Sequence, residues 1–199
     1  MKTRTLLPLL LLLSCACSSQ AQNSATPASP ATPATPASNA APAQPAQPAQ
    51  KAAPERANAE ATVKGKKISI NYGTPTMKGR NLLAQAPVGT VWRVGMNQAT
   101  EFTTDGDLMV GGKELKAGKY SLWVRRTGED SWTLAFHPKT GVWGAPALKE
   151  GYAAELPLTL EKAPESTETL MIHLADAKGE GEVSIHWGTT MMTGKFGVK

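Results

Sequence analysis

Arg80, Trp92, Arg93, Asn97, Thr100 and Trp143 are the residues of this chain best equipped for chemistry. The two arginines carry planar five-donor forks that match carboxylate or phosphate oxygens. Asn97 and Thr100 both donate and accept. The indoles of Trp92 and Trp143 offer flat faces for a sugar ring or a cation. Gathered at the mouth of one domain, these groups suit a small anionic ligand, a glycan or a protein partner, held without covalent catalysis. The same residues also support a purely structural reading. In that reading Arg93 pairs with Glu101 or Asp105, and Asn97 holds a tight turn after Gly95.

His173 and His186 form a second constellation, as half of a zinc or copper site with His137 or a carboxylate as third ligand. Two imidazoles on a solvated sheet face serve equally as plain polar surface, and no local ligand spacing supports a metal. Met191-Met192 would fit a copper element only as part of a longer methionine pattern, and packing explains the pair better. No serine stands in a nucleophile elbow and no glycine-rich phosphate loop occurs. The sequence therefore implies no catalytic residue and no cofactor. A hydrolase using the Arg/Asn/Trp cleft or a histidine-held metal is the alternative to a non-enzymatic module.

Cys15 carries chemistry of a different kind. Lys2 and Arg4 precede an apolar run, Leu6–Leu13, broken only by Pro8, and Leu12-Leu13-Ser14-Cys15 follows. The run is shorter than the roughly 20 apolar residues that span a bilayer, so it reads as an export signal ending in a lipobox-like site. Similarity to bacterial lipoprotein signals implies cleavage before Cys15 and acyl chains on its thiol. At about 0.8 kcal/mol per buried methylene, more than one chain makes a stable membrane anchor. Ala16 stands where an aspartate would favour inner-membrane retention, which points to the outer membrane. Ser19-Gln20-Ala21 offers a second cleavage site, and its use would release a soluble secreted protein. The only other cysteine is Cys17, so no disulfide or thiol chemistry remains for the rest of the chain.

Three segments follow from composition: a lipoprotein-type signal at 1–15 (1–21 if the second site is used), a linker at 22–58 and a β domain at 59–199. The linker is Ala, Pro, Gln, Thr and Ser, too poor in large apolar groups to offset the entropy of ordering. Proline at that density favours extended polyproline II, about 3.1 Å per residue, as a spacer between membrane and domain. Much of the formal net charge of +5 lies before residue 59. The nearly neutral remainder lacks the basic face that nucleic acid requires. Lys64, Lys66 and Lys67 read as a solvated strand edge that discourages aggregation.

The domain alternates apolar and polar residues with period two at Ile68–Tyr72, Tyr120–Val124, Trp132–Phe136, Leu156–Leu160, Leu170–Leu174 and Val183–Trp187. Turn residues separate the runs at Asp105-Gly106, Gly111-Gly112, Gly128–Asp130 and Lys178–Gly181. Strands with one apolar face must cover that face. The expected fold is all-β: an antiparallel β-sandwich, a jelly roll among its forms, with at most one short helix near Asn81–Gln85. Pro157 marks an edge or the start of its strand. Inward-facing parity makes paired positions sum to an even number in the Tyr120–Phe136 hairpin, and a loop centred on Gly128 sets Val124 opposite Trp132. In the Leu170–Trp187 hairpin the sums are odd, and a turn at Gly179-Glu180 sets His173 opposite His186 on the outer face.

The densest stretch is Tyr72-Gly73-Thr74-Pro75, Lys78-Gly79-Arg80 and Val91-Trp92-Arg93-Val94-Gly95-Met96-Asn97-Gln98-Ala99-Thr100. With Gly112–Leu122 and Trp143-Gly144, it resembles the bacterial family catalogued as domain of unknown function 2911. The resemblance spans most of residues 63–199. It implies a secreted or lipid-anchored β domain and no established activity. Met96 and Gln98 stand where the family often has alanine and glutamate. A glutamine cannot transfer a proton at neutral pH, which weighs against an enzymatic role for this member.

Overall fold

The computed structural model describes residues 55–80 and 82–199. The signal, Cys15 and the linker up to residue 54 lie outside the described residues, as does Asn81. Ten strands are described: β1 Arg56–Val63, β2 Lys66–Gly73, β3 Val91–Trp92, β4 Thr100–Thr104, β5 Leu108–Val110, β6 Lys113–Leu115, β7 Gly118–Arg126, β8 Trp132–His137, β9 Ala154–Ala177 and β10 Glu180–Val198. β1 begins inside the segment that composition groups with the linker, so Arg56–Asn58 is strand.

All pairings are antiparallel, in the order β1-β2-β4-β7-β8-β9-β10-β5-β6, with β3 alongside β7. The fold class is the all-β one that the alternation predicts. β9 pairs with β8 through Ala154–Leu158 and with β10 from Thr159 onward. The sheet thereby folds over on itself, and its two halves bury their apolar faces against each other. Phe102 on β4 meets Phe136 at 5.1 Å and Phe196 on β10 at 6.2 Å between ring centroids, both edge to face. The Tyr72 hydroxyl accepts from the Ile172 amide at 3.1 Å across the two layers. Pro157 is the fourth residue of β9, before its ladder with β10 begins.

Inward parity holds in both hairpins, but each register is two residues from the expected one. Val124 lies opposite Leu134, and Trp132 opposite Arg126, because the connecting loop spans Thr127–Ser131 and centres on Glu129. His173 lies opposite Ser184 and His186 opposite Met171, so the histidines are diagonal. The turn there is Lys178-Gly179, with φ of 60° and 87°. A two-residue turn with both φ positive suits right-twisted strands, and glycine takes its second position.

Two further expectations are corrected. Leu82–Gln85 forms turns, and no helix occurs among the described residues. Trp123, outward by alternation, is fully buried. The segment 138–153 crosses the outer face of β7 and β8 and covers Trp123, Ala99 and Ala135 with Val142, Ala147, Leu148 and Tyr152. The Trp123 indole donates to Ser121 Oγ at 2.9 Å, so its burial leaves no polar atom unpaired. Met192 is buried in the main core, consistent with packing.

The β5–β6 hairpin is clipped down by charge. Asp107 accepts from the Ala117 amide and from Lys116 Nζ, each at 2.9 Å, and Glu114 accepts from Lys116 at 2.8 Å and Lys199 at 3.0 Å. The amide bond from Ala117, then Lys116, holds Asp107 below its ordinary 3.8. Lys116 and Lys199 hold Glu114 below its ordinary 4.5. A carboxylate whose folded pKa is depressed stabilises the fold above its ordinary pKa and loses that contribution as pH falls through the folded value. The melting temperature should therefore drop more steeply below about pH 4 in the native chain than in an Asp107→Asn/Glu114→Gln variant, as read by thermal circular dichroism.

Candidate functional site

The signature residues converge on the turn from β3 to β4. Here the end of β2 and residues 94–96 touch backbone to backbone. A Cβ on Gly73 would sit 2.5 Å from the Met96 carbonyl oxygen, and one on Gly95 would sit 3.1 Å from the Gly73 carbonyl oxygen. At position 73 only glycine permits this approach, and at position 95 a methyl group would require the facing backbone to give by a few tenths of an ångström. The turn also needs positive φ at Val94 (55°) and Asn97 (61°). Asparagine tolerates that region, whereas a β-branched valine is a genuine outlier there. Val94 is fully buried, and Thr100 Oγ1 donates to its carbonyl at 2.7 Å. That bond and the surrounding packing hold the strained residue in place.

Three of the predicted site residues, Trp92, Arg93 and Thr100, contact the fold's interior, and the buried Nε of Arg93 has no partner among the described residues. Trp92 stacks on Trp187 at 5.4 Å with a 10° interplanar angle, so the partner indole takes one of its faces. Arg93 lies across the Gly144 backbone and donates from Nη1 to its carbonyl at 3.2 Å. A Cβ at position 144 would run into Arg93 Cδ, which explains a glycine after Trp143. Arg93 pairs with neither of the carboxylates expected for it. Glu101 instead accepts from the Gly141 amide at 3.1 Å, and Asp105 from the Lys67 amide at 2.8 Å. Thr100 is buried at the Val94 carbonyl. Asn97 does hold the turn after Gly95, as the structural reading expects. Its carbonyl accepts from the Gly144 amide at 3.1 Å, while its side-chain amide donates to Glu55 Oε1 at 2.8 Å.

Arg80 and Trp143 face outward. The strip from Thr74 to Lys78 is clipped to β9 by the Met77 amide on the Glu168 carbonyl (2.9 Å), the Lys78 amide on Glu168 Oε1 (2.7 Å) and the Leu170 amide on the Pro75 carbonyl (3.0 Å). This places Arg80 in a groove of about 570 Å³ with Glu55, Pro75, Lys78 and Met96. No side chain among the described residues pairs with its guanidinium. Trp143, 59% exposed, borders a groove of about 350 Å³ with Glu55, Arg56, Asn97 and Gln98. Glu55 borders both.

Glu55 and Arg56 escaped the sequence reading because they follow directly on the Pro/Ala stretch. The one signal that exposes them is the charge pair that ends it. Arg56 is tied to Asn71 through Nε on Oδ1 at 2.6 Å and Nη2 on the carbonyl at 3.1 Å, while its buried Nη1 has no acceptor among the described residues.

Among the described residues the histidines do not gather with other ligands into one cluster. His186 Nε2 lies 3.0 Å from the Glu165 carbonyl and 3.1 Å from the Gly188 carbonyl. Two acceptors there require a proton on that nitrogen, which removes its lone pair from metal binding. His173 is exposed on the outer face, and His137 Nδ1 accepts from the Lys139 amide at 2.9 Å. Among the described residues no three His, Cys, Asp or Glu groups gather as a metal site.

The fold and these grooves define an all-β antiparallel domain whose signature residues lock one turn and border two open grooves. The chain belongs to the family described as protein of unknown function (DUF2911), whose model matches residues 54–196. No curated protein and no solved structure matches the chain.

Gly73→Ala should cost about 1–3 kcal/mol or more, because the added methyl meets fixed backbone rather than a movable side chain. Arg80→Ala should stay within about 0.5 kcal/mol of the native chain. Urea unfolding followed by tryptophan fluorescence measures both.

Proposed function

We propose that this chain is an exported, lipid-anchored envelope protein whose β domain is a non-enzymatic module binding a small anionic ligand. The Arg56 side chain, which borders a groove with the exposed Trp143 ring and whose buried Nη1 has no acceptor among the described residues, is the observation that carries the binding reading. A buried guanidinium donor without an acceptor is costly in a finished fold and favourable once a carboxylate or phosphate oxygen meets it. Trp143 offers a flat wall beside that oxygen, and Arg80 and Lys78 add positive charge in the neighbouring groove. The anchoring half of the proposal rests on the lipobox-like segment ending at Cys15, with the Pro/Ala stretch as the spacer.

Calorimetric titration of the full chain with citrate and with inorganic phosphate tests the groove. At least one anion should bind. Arg56→Lys and Trp143→Ala should each weaken it about tenfold, the loss expected for one charge-assisted contact. The melting temperature of Trp143→Ala should move by no more than about 2 °C. Absence of binding, or binding indifferent to both changes, overturns the reading.

Anchoring is tested by fractionation and intact mass. The native chain should enter the membrane fraction with acyl mass on Cys15, and Cys15→Ala should not. A native chain recovered without lipid and cut after Ala21 overturns anchoring and leaves the groove proposal standing.

A further inference from the structure

We infer that His137 is a pH-sensitive latch on the segment 138–153, the strap that covers the outer face of β7 and β8. The strap leaves β8 directly after His137 and returns at Ala153, whose amide donates to the Phe136 carbonyl at 2.8 Å. The His137 ring meets both of its ends. Nδ1 accepts from the Lys139 amide at 2.9 Å, and a Cβ on Gly151 would stand 3.3 Å from Nε2. The Tyr152 ring meets the imidazole edge to face at 5.9 Å.

A backbone N–H on Nδ1 fixes the tautomer. That nitrogen must present its lone pair, so the ring is neutral with its proton on Nε2. A second proton turns the acceptor into a donor facing another donor, and the bond is lost. Holding the amide two residues ahead is the usual work of an asparagine or aspartate oxygen. Here the acceptor is one that can be switched off between about pH 8 and pH 5, where histidine ordinarily gains its charge. The other two histidines lack this property. His186 Nε2 already donates to its carbonyls, so a second proton leaves those bonds intact. His173 is exposed and accepts from no amide among the described residues.

The charged and titratable groups around the ring are engaged elsewhere. Glu101 on β4 accepts from the strap's Gly141 amide at 3.1 Å, and Glu155 on β9 pairs with Arg125 on β7 at 2.7 Å. Arg125 lies over the Tyr152 ring at 5.0 Å. Burial pushes the Tyr152 hydroxyl up, away from this pH range, and that hydroxyl donates to the Leu148 carbonyl. Lys139, Lys149 and Glu150 on the strap are exposed. Ser121, opposite His137 on β7, accepts from the Trp123 indole. The closed strap holds the ring without its second proton, so falling pH favours the loosened form. A looser strap opens the Trp123 cluster to water and frees Trp143 and Gly144, which the strap carries to the Asn97 turn. This inference does not rest on ligand binding.

The test is hydrogen exchange of the ¹⁵N-labelled full chain, expressed as protection factors so that the pH dependence of the exchange chemistry cancels. Between about pH 7.5 and about pH 5, protection of the Lys139 and Gly141 amides and of the Trp123 indole should fall about three- to tenfold, the loss expected for one hydrogen bond. Phe102 and Leu122 in the central strands should keep theirs. His137→Asn supplies an acceptor for the same amide that gains no proton, so its strap should stay protected at the lower pH. His137→Ala should be less protected at both. The inference is overturned if the native strap keeps its protection at the lower pH, if His137→Asn loses it as the native chain does, or if His137→Ala matches the native chain at the higher pH.

Discussion

Backbone meeting backbone at Gly73 and Gly95 is the constraint on which the rest of the signature region depends. Two segments with no side chain between them bring the end of β2 against the β3–β4 turn. That contact sets where Val94 bends, where Thr100 donates and where Asn97 turns. The Tyr72–Pro75 and Val91–Thr100 stretches each supply one side of this close approach. Arg93 and Gly144 repeat the device at side-chain scale, with the guanidinium stem lying where a methyl group would otherwise be.

The cost of such tight construction is that most of the polar inventory is consumed internally. Arg93, Thr100 and one face of Trp92 serve the fold, and Asn97 serves both the fold and Glu55. What remains open is distinguished by leftover valence rather than by residue type. Among the described residues Arg56 Nη1, Arg93 Nε, Trp132 Nε1 and Thr167 Oγ1 are buried without a hydrogen-bond partner. Buried donors of that kind are uncommon in finished folds, where nearly all such groups find partners.

Much of the architecture was legible in the sequence because alternation reports burial directly. Ile68, Leu122, Leu134, Ile172 and Ile185 all point inward as their parity requires. Register was legible only to that parity. Both hairpins slipped by two because the choice of central turn residues, Lys178-Gly179 or the five-residue Thr127–Ser131 loop, is a local energetic matter that face patterning does not encode. Trp123 defeated alternation because a distant segment, 138–153, covers the outer face, and period two says nothing about what lies above a sheet. The site was half legible. Arg80 and Trp143 border the open grooves, but Arg56 was hidden by its place beside a low-complexity stretch.

The direction in which the chain enters the domain has a mechanical consequence. Arg56 begins β1 opposite Gly73, and the hairpin with β2 closes eight rungs later at Lys64-Gly65. β1 also sits at the end of the strand order, with β2 as its one ladder neighbour. Tension on the polypeptide before Arg56 would load those rungs singly, from the open mouth toward the tip, instead of sharing the load along the ladder. The Glu55 carbonyl and the Arg56–Asn71 bonds stand at the mouth, where peeling would have to begin. The domain's resistance to being pulled is therefore concentrated in the same few atoms that border the Arg56 groove.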